Sequence, residues 1–230
     1  MEGVLVKLNV VDADLVFEGV FTRPEFALFR DASGLVGVYF DALQKNGLRV
    51  QDIKIDLASG TLADSNISFQ LFNSQLGVYI RQDRVAVVCT HVRDDQISVI
   101  GSVGTDVMSL IQSYRPGITF GSYSLNISLN GTLEGSALSD YLSRFVVGEL
   151  SELGPRSGSG AAFYFGSRED RISSSLVMDL SGALAGGLFV RVNVVFDGRK
   201  LDSLAVAGRA VSFLRQALAS VGLEVAALGV

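Results

Sequence analysis

The strongest constraint on this chain is an unbroken alternation. From Tyr123 to Asn130, apolar Tyr123, Leu125, Ile127 and Leu129 are interleaved with Ser124, Asn126, Ser128 and Asn130. Successive side chains of a strand point to opposite faces, so such a run has one face to bury and one to leave wet. Ile53, Ile55 and Leu57 alternate with Lys54 and Asp56 in the same way, and Ile67, Phe69 and Leu71 with Ser68 and Gln70. A parallel sheet covered on both sides would read as continuous apolar runs instead. The alternation therefore predicts an antiparallel sheet covered on one side. Further strands are predicted at 4–10, 15–21, 76–81, 84–92, 161–166, 172–181 and 187–197. Gln82–Asp83, Arg168–Glu169–Asp170 and Gly186–Gly187 read as the turns between them.

Four segments switch to helical spacing. Val36, Tyr39, Phe40 and Leu43 share one face and are closed by Asn46–Gly47, a C-cap pair. Val107, Leu110, Ile111 and Tyr114 repeat the spacing, with Thr105 or Asp106 as the expected start and Pro116–Gly117 as the stop. Leu138, Tyr141, Leu142 and Phe145 follow, with Ser136 as N-cap. The last and longest helix, 202–221, carries Leu204, Ala207, Val211, Leu214, Leu218 and Val221. The order of elements then repeats about Pro116–Gly117. Strand 15–21, helix 35–46, strands within 50–92 and helix 105–114 are followed by strand 118–133, helix 136–148, strands within 161–197 and helix 202–221. The predicted fold is α+β. Two duplicated β-α-β-β-β-α halves, 1–116 and 117–230, form one or two large antiparallel sheets with helices packed on one face. Residues 151–160 read as a flexible loop.

One stretch of this order resembles a known family. The hairpin around Gln82–Asp83, the amphipathic helix ending at Tyr114, the alternating strand Tyr123 to Leu129, the run Leu138-Ser139-Asp140-Tyr141-Leu142, and the strand Leu188 to Phe196 before a long helix resemble a sporadically distributed family of uncharacterised bacterial proteins. The likeness covers the C-terminal two thirds. That family's Arg–Tyr–Ile–Asn run would fall near Tyr123-Ser124-Leu125-Asn126 and is not reproduced. The resemblance implies no activity.

Composition excludes several classes of function. The formal net charge is −5 and no run of Lys and Arg stands out, which disfavours nucleic acid and anionic membrane as partners. A single cysteine, Cys89, rules out an intramolecular disulfide. Neither a signal-like start nor an apolar run of about 18 residues is present, so the sequence reads as cytoplasmic.

Candidate chemistry is sparse. Cys89 and His91, two apart on a predicted strand, would share a face as a thiol–imidazole pair, though strand geometry sets same-face neighbours about 6.5–7 Å apart. One His and one Cys leave no set for a zinc site, and no cofactor is implied. Asp94–Asp95 reads as loop charge. Gly101-Ser102-Val103-Gly104-Thr105 reads as a strand-to-helix turn that lacks the Gly-Lys-Ser/Thr ending of a phosphate loop. The expected function is a non-enzymatic binding or assembly module, working as a homo-oligomer or with a protein partner. One alternative is a carrier of a small apolar ligand held between the sheet and helix 202–221, with Tyr39, Tyr123 and Tyr141 as polar handles. Another is a ring similar to sliding clamps, which would need basic helices; helix 202–221 offers only Arg209 and Arg215.

Overall fold

The computed structural model describes residues 5–57, 64–145, 160–167, 172–197 and 203–228. Ten strands form one sheet: β1 (Val6–Phe21), β2 (Ile53–Asp56), β3 (Asn66–Leu71), β4 (Leu76–Ile80), β5 (Arg84–Cys89), β6 (Phe120–Leu133), β7 (Ala161–Ser167), β8 (Ile172–Leu180), β9 (Leu188–Asp197) and β10 (Leu223–Val225). The spatial order is β2-β3-β4-β5-β1-β6-β9-β8-β7, with every neighbour antiparallel. The short β10 lies parallel to the start of β1, pairing Val6–Leu8 with Leu223–Val225. The sheet is thus a single α+β sheet that crosses the midpoint of the chain without a break.

Register carries the alternation across the whole sheet. Ile53, Phe69, Val78, Val87, Phe17, Leu125 and Val194 follow one another from strand to strand as direct partners. A second row runs Ile55, Ile67, Ile80, Val85, Gly19, Tyr123, Phe196 and Ile172. These rows are the floor of the core, and their members are buried except at the outer strands, where Ile53 and Ile172 are half-buried and Ile55 is exposed. The opposite face carries Asn126 against Asn193, then Ser175, together with Ser124, Ser128 and Glu18, all half-buried.

Among the described residues five α-helices join the strands: α1 (Ala27–Arg30), α2 (Ala32–Leu43), α3 (Ile97–Tyr114), α4 (Leu138–Ser143) and α5 (Ser203–Ser220). Those with described side chains pack on the apolar floor. Tyr39 of α2 stacks on Phe69, with ring centroids 5.2 Å apart, and its hydroxyl donates to the Val107 carbonyl of α3 at 2.7 Å. Tyr141 of α4 sits on Met178 and donates to the Val221 carbonyl, just past α5, at 3.0 Å. Both rings are buried, so each hydroxyl has the partner that burial demands. Asp31 caps α2 by accepting from the Gly34 N–H, and its other oxygen accepts from the Tyr114 hydroxyl at 2.6 Å, tying the start of α2 to the end of α3.

Two sequence expectations are corrected here. Strands 4–10 and 15–21 are one strand, β1, because a bulge at Val11 resets the alternation. Val10 pairs with Gly131 and Asp12 with Asn130, so inward residues switch from Leu8 and Val10 to Ala13, Leu15 and Phe17. Gly131 makes room for this, since a Cβ there would lie 2.5 Å from the Asn9 carbonyl oxygen. The second correction concerns α3, which starts at Ile97 and not near Thr105, so Gly101 to Thr105 is helix interior. Gly104 is an approach point: a Cβ would meet the Phe17 ring at 2.6 Å. Thr105 caps nothing; its hydroxyl donates back to the Gly101 carbonyl at 2.9 Å. The expected helix 136–148 is described as α4 and a turn through Phe145, and its remainder lies outside the described residues, as do the loop 151–159 and the turn at Arg168–Asp170.

Gly104→Ala should therefore destabilise the fold by about 1–3 kcal/mol through overpacking against Phe17. Gly37→Ala, on the open face of α2 with no atom within 4 Å, should stabilise it by about 0.5–1 kcal/mol. Urea denaturation of the two variants checks both signs.

Candidate functional site

The only histidine and the only cysteine meet the bulge of β1 at one end of the sheet. β5 ends at Cys89, and Thr90 to Val92 leave the ladder. His91 has φ 54, the left-handed region that non-glycine residues rarely enter. Opposite it, the β3–β4 turn holds Phe72, Asn73 and Ser74 at φ 51, 55 and 68. Four such residues cost about 1–2 kcal/mol each, and backbone strain of this kind concentrates at functional positions.

The strain is held by a specific hydrogen-bond set. The His91 N–H donates to Asp14 Oδ1 at 3.3 Å, and its carbonyl accepts from Gln75 Nε2 at 3.3 Å. The Thr90 N–H donates to the Gln75 carbonyl and the Val92 N–H to the Ala13 carbonyl. The ring Nδ1 lies 2.7 Å from Asp12 Oδ1. A carboxylate oxygen accepts, so Nδ1 is the ring nitrogen that donates to Asp12. Arg93, next along, makes a loose pair with Asp95 at 3.7 Å.

Two adjoining hollows result. One, of about 330 Å³, is lined by Val11, Asp12, His91 and Arg93. The other, of about 240 Å³, is lined by Phe72, Leu76, Cys89, Val99 and Ile100. Gln75 and Gln96 border both. The wall is braced: Gln96 Oε1 accepts from the Arg93 N–H at 3.1 Å and from Gln75 Nε2 at 3.4 Å.

The thiol–imidazole pair weighed from the sequence is not formed. The strand that was to present both residues on one face stops at Cys89, so Cys89 faces the apolar hollow and His91 the polar one. Burial pushes the Cys89 thiol up to about 11, and the Asp14 carboxylate adds to the shift. A thiol this basic is not a nucleophile at neutral pH. Among the described residues no group of three or more His, Cys, Asp or Glu could hold a metal ion. Asp94 and Asp95 sit in a 3₁₀ turn leading into α3, as loop charge. Tyr39 and Tyr141 belong to the core, with hydroxyls raised by burial, that of Tyr141 to about 12. Tyr123 lies in the core as well, 5.0 Å from the Phe120 ring and 6.1 Å from Phe17. The cleft itself was not foreseen. The bulge that opens it and the left-handed residues that shape it leave no periodic signal.

The two ends of the sheet differ as well. β2 is four residues long and carries Lys54 and Asp56. β7 is seven residues long, Ala161-Ala162-Phe163-Tyr164-Phe165-Gly166-Ser167, without a charge or a proline. Tyr164 is 81% exposed and Phe165 40%, and no described strand pairs with the outer edge of β7. Among the described helices none is long and apolar enough to cross a membrane.

No family model and no curated protein matches the chain.

The Cys89 thiol ionises near 9.0 in an unfolded chain and near 11 in the fold, so its contribution to stability is intact below pH 9 and is lost as pH rises toward 11. Cys89→Val should flatten the fall in stability between pH 8.5 and 10.5 relative to the unaltered chain. Urea midpoints at the two pH values measure it.

Proposed function

We propose that this protein is a non-enzymatic binding and assembly module that works as a homo-oligomer, with two copies joined edge to edge through β7. The observation that carries this reading is the contrast between the two sheet edges. Monomers blunt an exposed edge with shortness, charge or proline, because unpaired N–H and C=O groups recruit another strand. β2 is short and charged, whereas β7 is long, uncharged and aromatic. Antiparallel pairing of β7 with its own copy about a two-fold axis would satisfy its outer backbone groups and cover Tyr164. The raised thiol of Cys89 and its separation from His91 support a role in binding rather than catalysis. We also read residues 1–116 and 117–230 as a duplicated unit. The strand order supports this: outward from the centre it runs β1-β5-β4-β3 in one half and β6-β9-β8-β7 in the other.

Sedimentation velocity tests the assembly. The protein should sediment as a dimer, and the double substitution Ala162→Lys and Tyr164→Lys should weaken association by at least about tenfold, a 1.4 kcal/mol effect. Lys54→Glu at the other edge should leave association unchanged. A strict monomer, or a dimer indifferent to the β7 charges, overturns the reading.

A further inference from the structure

The cleft at the bulge of β1 joins a charged hollow to an apolar one, and we propose that it binds an organic ammonium ion with a short apolar tail. The tail lies against Phe72, Leu76, Val99 and Ile100, and the head meets Asp12 and Gln75. This site is independent of the β7 edge and stands whether or not two copies pair.

The unused polar atoms identify the head. Asp12 gives one oxygen to His91, and its second makes no hydrogen bond among the described residues. The orientation of the glutamine wall follows from its donors. The Arg93 N–H can only donate, so the oxygen of Gln96 faces it. That same oxygen lies against Gln75, which must present its amide nitrogen; the nitrogen also reaches the His91 carbonyl. The oxygen of Gln75 is thereby left over, at the junction of the two hollows. The polar hollow is thus lined by two residues with an unused acceptor, one of them charged. An ammonium group has three donors and no acceptor, which matches them.

Charge selects the same class. Asp12 lines the polar hollow, and Asp14 and Asp94–Asp95 directly flank its lining residues Ala13 and Arg93 along the chain, against the single cation Arg93. Arg93 leans toward Asp95. The negative field also reaches the apolar hollow, where Asp14 helps keep the Cys89 thiol protonated. A carboxylate ligand would meet that field with the wrong sign. The tail has its own driving force. Phe72 and Val99 are about half exposed at the rim, and covering their apolar surface favours binding.

Isothermal titration calorimetry and amide NMR test this on the full chain with three matched probes: hexylammonium, hexanoate and 1-hexanol. Hexylammonium should bind saturably, shift the amide signals of Gln75, His91 and Gln96, and bind at least about tenfold tighter than the other two. Asp12→Asn should cost it about tenfold, and Val99→Lys, placed on the exposed rim of α3, should do the same without disturbing the core. No saturable binding, equal binding of the alcohol, or tighter binding of hexanoate overturns the proposal. The comparison of probes on the unaltered protein decides the matter even if Asp12→Asn loosens the fold. An unchanged affinity in both variants would place hexylammonium elsewhere and overturn it as well.

Discussion

The ladder between β1 and β6 is the interaction on which the rest of the structure depends. It runs from Leu8 opposite Leu133 to Phe21 opposite Phe120, the longest pairing in the sheet, and it joins the two halves of the chain. β1 also holds β5 on its other side and β10 at its start. The apolar floor is continuous because this seam keeps the register that brings Phe17 against both Val87 and Leu125. A slip of one residue would turn the inward set of β1 outward and break the floor at its middle. The bulge at Val11 is compatible with that demand because Gly131 lets the backbones stay close.

The helices are fixed to this floor by buried tyrosines as well as by apolar contact. Tyr39 and Tyr141 each follow the long strand of their half, and each donates to a carbonyl at the half's last helix. A buried hydroxyl without a partner costs several kcal/mol, so these bonds specify where α3 and α5 lie along the sheet and not merely that they cover it. Gly104 over Phe17, and Gly19 beneath Phe120 and Met108, allow the close approach that makes such specification effective.

How much of this was legible in the sequence divides by cause. Strands with one wet face declare themselves through Ser, Asn and Gln at every second position, and β3 and β6 were readable for that reason. The helix stops at Gly47 and Gly117 were readable because both residues adopt positive φ. The start of α3 was obscured because Gly101 and Gly104 look like a loop, when Gly104 is there for the ring of Phe17. The continuity of β1 was hidden because a bulge shifts the period by one. The cleft was the least legible part: it depends on Phe72, Asn73, Ser74 and His91 at positive φ, and His91 is held there by Asp12, Asp14 and Gln75 from distant parts of the chain. Local propensity cannot announce a site built against local propensity.

The parallel pairing of Val6–Leu8 with Leu223–Val225 has a consequence for the order of events during synthesis. The central strand is made early, while its partners β6 and β10 emerge late. β3, β4 and β5 can close against β1 first, through pairings of shorter range. The edge of β1 that will receive β6 then waits, open, until the second half of the chain arrives. Closing such long loops is slow and exposes sheet in the meantime. A nascent chain of this design is most vulnerable to wrong pairing at its middle, the place that becomes the most thoroughly buried part of the finished molecule.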